Sequence, residues 1–101
     1  MRGLLTDAAF DVGRAYRLHP QVALRPEPFG ALAYHYGNRR LNFLRSLDLV
    51  ALLKDLGNHP SVQAALDASP VERRRHGAMQ RALAQLAASD FLIALDADSE
   101  R

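Results

Sequence analysis

The sequence contains no cysteine, no long hydrophobic run and no large excess of charge of either sign. Without cysteine, the chain has no disulfide framework, no thiolate nucleophile and no zinc site built on cysteine ligands. No stretch approaches the ~20 apolar residues of a membrane span. The N-terminal residues lack the apolar core of a signal peptide, because Asp7 and Asp11 interrupt them. We therefore expect a cytoplasmic protein that does not bind membranes.

The chain also lacks the residue constellations that carry catalysis. It has no nucleophile with a neighbouring base, no paired-carboxylate motif and no phosphate-binding loop among its glycine turns. A chain of 101 residues leaves little room for a buried pocket. We therefore expect a protein that is not an enzyme and that holds no cofactor and no metal. The histidines share no ligand spacing and are expected to be structural or exposed: His19, His35, His59 and His76.

The residues that are present indicate one globular domain. Apolar residues make up 49% of the chain, which is enough for a single buried core. The formal net charge is +2, a mild bias that does not mark a dedicated polyanion binder. Positive charge is nevertheless concentrated in two clusters. These are Arg39 and Arg40 with Arg45, and Arg73, Arg74 and Arg75 with Arg81.

Alternating apolar and polar side chains predict strands in the first half of the chain. Three strands are expected over residues 22–26, 31–36 and 40–44, with a short extended segment over 15–19 before them. A turn separates the first two strands. The dipeptide Gly37-Asn38 predicts a hairpin between the second and third, because both residues tolerate positive φ.

The second half of the chain predicts helices. Leucines recur at helical spacing over residues 47–56 after Ser46, a fair N-cap, and a shorter repeat follows over 61–68. The sequence Ser69-Pro70-Val71-Glu72 is a capping box that predicts the start of a third helix, which runs to about residue 88. The apolar residues that follow this helix are expected either to pack under the sheet or to add a short strand.

Strands followed by helices indicate an α+β fold rather than α/β. We expect a three-stranded antiparallel sheet followed by three helices, with the short closing strand as an option. The domain is expected to cover residues 15–95, with a flexible N-terminal arm over 1–14 and a C-terminal tail over 96–101 that frays.

The third strand has the features of an open sheet edge. Pro26 and Pro28 lack backbone donors and would protect the side of the sheet formed by the first strand. The third strand has no proline, and its basic residues lie at its ends. Unpaired N–H and C=O groups on such an edge invite the addition of another strand. We therefore predict that this edge receives a peptide from another molecule.

The order of elements resembles the winged helix-turn-helix modules called PqqD-like recognition elements, which bind the leaders of ribosomally made peptides. The strand over 31–36, the segment Leu41-Asn42-Phe43 and the leucine-rich helices carry this resemblance. The run YRLHPQVALRPEPFGAL over residues 16–32 is more specific. It is similar to the peptide chaperones of the mycofactocin pathway, and the similarity covers most of the chain.

The resemblance implies a partner peptide and a partner enzyme. Family members bind the leader of a small precursor peptide as an added strand and deliver it to a radical S-adenosylmethionine enzyme, to which the cluster and cofactor belong. The third strand would supply the edge, and the third helix would form the wall of a groove. The residues implied for peptide binding are Arg40, Leu41, Asn42, Phe43, Leu44, Arg74, Arg75, Met79, Ala82 and Leu83.

Other interpretations stay open at the level of sequence. A winged helix with an arginine-rich third helix is typical of DNA-binding proteins. The low net charge and the narrow polar face of that helix favour a protein without a nucleic acid partner. An interaction domain of a larger complex is a third option. Leu41 and Phe43 are explained equally well as core residues, Met79 is better explained as core, and an open edge permits a homodimer without peptide.

Overall fold

A computed structural model describes residues 10–95, in which five strands and three α-helices follow one another. The strands are β1 (Tyr16–Leu18), β2 (Val22–Glu27), β3 (Gly30–His35), β4 (Leu41–Leu44) and β5 (Leu92–Ala94). The helices are α1 (Leu47–Asp55), α2 (Val62–Ala68) and α3 (His76–Ala88). Strands β2, β3 and β4 form an antiparallel sheet in that order, and β1 pairs with β5. The predicted α+β fold is confirmed.

The three-stranded sheet has one face against the core and one face toward solvent. Ala31, Ala33 and His35 alternate along β3 as buried residues, and Leu44 of β4 lies opposite Ala31 on the same face. Leucines from α1, α2 and α3 cover this inner face. A Cβ placed on Gly30 would lie 2.0 Å from the carbonyl oxygen of Leu44, so glycine is required where β3 begins beside β4.

The apolar segment after α3 forms a strand, which confirms one of the two options that the sequence left open. In the β1–β5 pair, Tyr16 lies opposite Ala94. Phe10 packs against the Tyr16 ring at 4.8 Å between centroids. The carbonyls of Val12 and Arg14 accept hydrogen bonds from the start of α2. The last five residues of the expected arm, 10–14, therefore contact the domain, whereas residues 1–9 and the tail over 96–101 lie outside the described part of the chain.

Serine side chains cap the first two helices. The Ser46 hydroxyl accepts the Leu49 N–H at 3.1 Å, as predicted, and Ser61 does the same for Ala64 at 3.0 Å at the start of α2. Helix α1 continues into a single 3-10 turn, Leu56–Asn58. The longest helix, α3, has thirteen residues, so the described helices are shorter than a membrane span requires.

The predicted start of the third helix was wrong. Ser69 caps no helix N-terminus: its hydroxyl donates to the Leu66 carbonyl at 2.7 Å and closes α2 instead. The buried side chain of Val71 anchors the chain in the core, and Glu72 is extended at φ −61° and ψ 140°. Helical structure then resumes with a 3-10 turn, Arg73–Arg75, that leads into α3. Core packing of this link overrides the local capping signal.

Candidate functional site

The hydrogen-bond pattern of the sheet determines which side of each β4 residue is paired. The His35 N–H donates to the Arg40 carbonyl at 2.9 Å just before β4 begins. Inward-bonding positions alternate along an antiparallel strand. Asn42 and Leu44 lie two and four residues beyond Arg40, so their backbone groups bond toward β3.

The two remaining residues of β4, Leu41 and Phe43, direct their N–H and C=O groups away from β3. Among residues 10–95, no other strand pairs with this side of β4, and no backbone hydrogen bond outside the β3–β4 ladder involves either residue. The edge therefore offers two backbone donors and two backbone acceptors in strand geometry. Such an arrangement accepts an extended chain by strand addition.

The opposite edge of the sheet, on β2, offers fewer free backbone hydrogen-bond donors. The Tyr36 N–H donates to the Gln21 carbonyl, and this bond places Val22, Leu24 and Pro26 at the outward-facing positions of β2. The Val22 N–H already donates to His19, and proline has no N–H. Leu24 alone keeps a free donor among these three. The predicted protective role of Pro26 is thus consistent with the pattern of the sheet.

A groove runs beside the free edge of β4. Asn42 and Leu44 line its strand side, and Ala82, Gln85 and Leu86 of α3 line the other. The two leucines are buried and form an apolar floor. Ala82 is half-buried and Gln85 is exposed, so they form the rim. A groove with these walls accepts an apolar side chain of modest size between β4 and α3.

Two polar contacts hold α3 in place beside β4, one at each end of the helix. At the C-terminal end, the Asn38 side chain donates to the Ser89 carbonyl at 3.1 Å. At the N-terminal end, Arg75 Nη1 donates to Asp48 Oδ2 at 2.8 Å. Because Asn38 precedes β4 and Asp48 follows it, α3 runs antiparallel to the strand. The width of the groove is set at both ends.

The predicted peptide-binding residues fall into separate groups. Arg40, Leu41 and Phe43 are exposed on or beside the open strand, so the alternative that Leu41 or Phe43 belongs to the core is wrong. Asn42, Leu44 and Ala82 line the groove, and Phe43 borders it as well. Met79 and Leu83 are 6% and 0% exposed.

Met79 and Leu83 therefore belong to the core, since they face the leucines of the other helices and not the groove. The two arginines predicted to bind the peptide, Arg74 and Arg75, already have acidic partners. Arg75 pairs with Asp48, and Arg74 Nε lies 3.2 Å from Glu72 Oε1. They precede α3 rather than line the groove.

The predicted peptide-binding set lacked four residues of the groove: Arg45, Leu49, Gln85 and Leu86. Gln85 and Leu86 lie three and four positions after Ala82, on the same face of α3. Extending the predicted wall by one turn toward the C-terminus would have found them. Leu49 belongs to the leucine repeat of α1, whose buried face gave no sign of a neighbouring groove.

Sequence reasoning also missed a cluster of His19, His35 and Asp90. Asp90 Oδ2 lies 3.5 Å from the Nε2 atom of His35 and 3.8 Å from that of His19. His35 Nδ1 accepts the backbone N–H groups of Gly37 and Asn38, at 3.0 Å and 3.1 Å. The His35 proton is therefore on Nε2, and this nitrogen has no lone pair for a metal.

His19 has the same arrangement, since its Nδ1 accepts the Gln21 N–H at 3.0 Å. Both rings thus direct an Nε2–H group toward the Asp90 carboxylate. The three residues lie at or just after the ends of β1, β3 and α3, which they bring together. We interpret the cluster as structural, because metal binding through both Nε2 atoms would require all three backbone hydrogen bonds to Nδ1 to be given up.

The order of strands and helices, with a vacant strand edge beside the third helix, defines a winged-helix-like module. The model of the peptide chaperone MftB family matches residues 15–93. The chain belongs to this family. No solved structure matches it significantly.

Three curated relatives carry the name peptide chaperone MftB. The protein of Mycobacterium ulcerans (strain Agy99) is 44% identical, and the match covers 97% of this chain and 99% of the relative. The protein of Mycobacterium tuberculosis (strain ATCC 25618 / H37Rv) is 43% identical over 83% of this chain and 77% of the relative. That of Mycolicibacterium smegmatis (strain ATCC 700084 / mc(2)155) is also 43% identical, over 83% and 82%.

Proposed function

We propose that this protein is a non-catalytic chaperone of mycofactocin biosynthesis that binds the leader of the precursor peptide as an added strand on β4. It then presents the peptide to a radical S-adenosylmethionine maturase. Membership of the peptide chaperone MftB family supports this role. The observation that carries the mechanism is the vacant backbone of Leu41 and Phe43 beside a groove that contains the buried side chains of Leu44 and Leu86.

Backbone pairing alone gives only weak binding. Two residues with two groups each supply four hydrogen bonds to a guest strand, each worth about 1 kcal/mol net. A total of about 4 kcal/mol corresponds to a millimolar dissociation constant, even before the entropy of ordering the leader is subtracted. Side chains of the leader must therefore supply most of the affinity.

The alternation of a strand divides the leader side chains into two sets. Leader residues that lie directly opposite Asn42 and Leu44 in the added strand point toward α3 and enter the groove. Residues level with Leu41 and Phe43 lie on the solvent-facing side of the sheet. We expect the first set to be apolar, because Leu44 and Leu86 form the floor of the groove.

Arginines flank β4 and favour an acidic leader. Arg40 immediately precedes the strand and Arg45 immediately follows it, and both are exposed. Charges at the ends of an interface speed encounter more than they add affinity. The benefit falls as salt rises, because the Debye length is only ~8 Å at physiological ionic strength.

Amide hydrogen exchange with added leader tests the proposal residue by residue. In the free protein, the N–H groups of Asn42 and Leu44 should exchange slowly, and those of Leu41 and Phe43 should exchange fast. Saturating leader should slow exchange at Leu41 and Phe43, whereas the free N–H of Leu24 on the other edge should not change. Equal exchange at Leu41 and Phe43 with and without leader would reject strand addition on β4.

A further inference from the structure

The solvent-facing side of the three-stranded sheet, which we call the outer face, carries an aromatic and aliphatic patch. Its residues share one side of the sheet by register and ring contacts: Phe29, Leu32, Tyr34, Tyr36, Leu41 and Phe43. Four of them are 40–61% exposed, although all are large and apolar. No other described element covers them, so the patch is larger than scattered surface residues explain.

Ring contacts within the outer face show that it is a continuous surface. The Phe29 and Phe43 rings stack at 6.2 Å between centroids, with 12° between their planes. The Tyr34 and Tyr36 rings meet edge to face at 5.0 Å. Leu41 lies between the two pairs of rings, since it is opposite Tyr34 and two positions before Phe43 on the same strand.

The border of the outer face carries a small net positive charge, since Arg25 and Arg45 outnumber the single acidic residue, Glu27. The Arg45 guanidinium carbon lies 5.8 Å from the centre of the Phe43 ring, and Arg25 lies opposite Leu32 on β2. Among β2, β3 and β4, the single acidic side chain is Glu27, which pairs with Arg25 at 2.9 Å. A partner with an apolar centre and an acidic border fits this face.

The outer face is continuous with the edge that receives the leader. A strand added to β4 places alternate side chains level with Leu41 and Phe43, on the outer face. The loaded chaperone then presents a four-stranded surface to which both the protein and the leader contribute. A partner bound there contacts chaperone and leader together and distinguishes the loaded form from the empty one.

We propose that the outer face is the docking surface for the maturase, through an apolar patch with an acidic border on the enzyme. This inference rests on the proposed function. In the proposed complex, the leader side chains next to Leu41 and Phe43 form part of the surface that the enzyme contacts. The enzyme should therefore bind the loaded chaperone more tightly than the empty one.

The test uses positions on the outer face that are distant from the β4 edge. Arg25 is two strands away, about 10 Å by the spacing of a sheet. Tyr36 is 61% exposed and lies beyond the end of β3. Arg25→Glu and Tyr36→Ser are made separately, and Arg17→Glu on the separate β1–β5 sheet is the matched charge control. Circular dichroism melting confirms that each variant folds.

Two titrations are run on each variant. Fluorescence anisotropy with labelled leader should give a dissociation constant within twofold of wild type in all three. Calorimetry of the purified mycofactocin radical S-adenosylmethionine enzyme with loaded chaperone should show at least tenfold weaker binding for Arg25→Glu and Tyr36→Ser, and wild-type binding for Arg17→Glu.

Unchanged enzyme affinity in both outer-face variants would overturn the docking surface and leave the proposed function standing. Failure of wild type to bind leader would appear in the first titration and would instead reject the proposed function. A loaded chaperone that is dimeric by light scattering in wild type and monomeric in Tyr36→Ser, with enzyme binding unaffected, would overturn docking in favour of self-association.

Discussion

Replacing Leu41 by proline removes one hydrogen-bond donor from the open edge of β4 and leaves the sheet's own hydrogen bonds intact. Leu41 is the first residue of β4, a position where strands accept proline. Its N–H points away from β3, so no bond of the β3–β4 ladder is lost. We therefore expect Leu41→Pro to fold and to bind the leader less tightly.

The size of the effect follows from one missing hydrogen bond. A net contribution of about 1 kcal/mol corresponds to about a fivefold increase in the dissociation constant. Leu41→Pro also removes an exposed aliphatic side chain, so Leu41→Ala is the proper reference. The difference between these two variants isolates the backbone donor.

Proline at the next residue, Asn42, should destabilise the fold instead of removing a donor from the open edge. Asn42 bonds inward to β3, so Asn42→Pro loses a ladder hydrogen bond and should lower the free energy of unfolding by about 1–3 kcal/mol. Leader affinity is measured by anisotropy, and stability by chemical denaturation. If Leu41→Pro binds leader as tightly as Leu41→Ala, the leader does not pair with this edge.

Two further substitutions test the groove and the start of β3. Ala82→Leu should fill the groove and weaken leader binding by about 1–2 kcal/mol in the anisotropy titration. The control Ala51→Leu, on the exposed side of α1, should leave leader binding unchanged. Gly30→Ala should lower the free energy of unfolding by at least about 2 kcal/mol, because its Cβ would clash with the Leu44 carbonyl. Gly77→Ala adds a Cβ that makes only an ordinary contact, 3.8 Å, with the flexible Arg81 side chain, and it should raise the free energy of unfolding by about 0.5–1 kcal/mol in denaturant titrations.

The sequence was sufficient to predict the sheet and its open edge. Period-two alternation located the strands, and the proline in β2 indicated which side of the sheet is protected. Leu41 and Phe43 alternate with Asn42, so their shared face followed from the pattern. The pattern did not show whether that face is buried, because side chains alternate with the same period in a covered strand and in an uncovered one. Exposure depends on where the helices pack.

The composition of the groove was predictable only in part, for a related reason. Met79, Ala82 and Leu83 lie on neighbouring faces of one helix, and sequence periodicity cannot resolve which of them faces the sheet edge and which the core. The rotation of α3 follows from long-range burial of its apolar face in the core, and the contacts of Asn38 with Ser89 and of Arg75 with Asp48 accompany it. Pairs separated by 51 and 27 positions leave no local signal.

The arrangement of charge explains how β4 remains vacant without pairing with a second β4. The strand is only four residues long, which limits the gain from self-pairing. An antiparallel pair of β4 edges that aligns Leu41 of one copy with Phe43 of the other would bring Arg39 of one copy opposite Arg45 of the other at both ends of the ladder. Like charges at such positions are destabilising. A leader with acidic residues at those positions replaces this repulsion with attraction, so the same arginines that discourage self-association favour the guest.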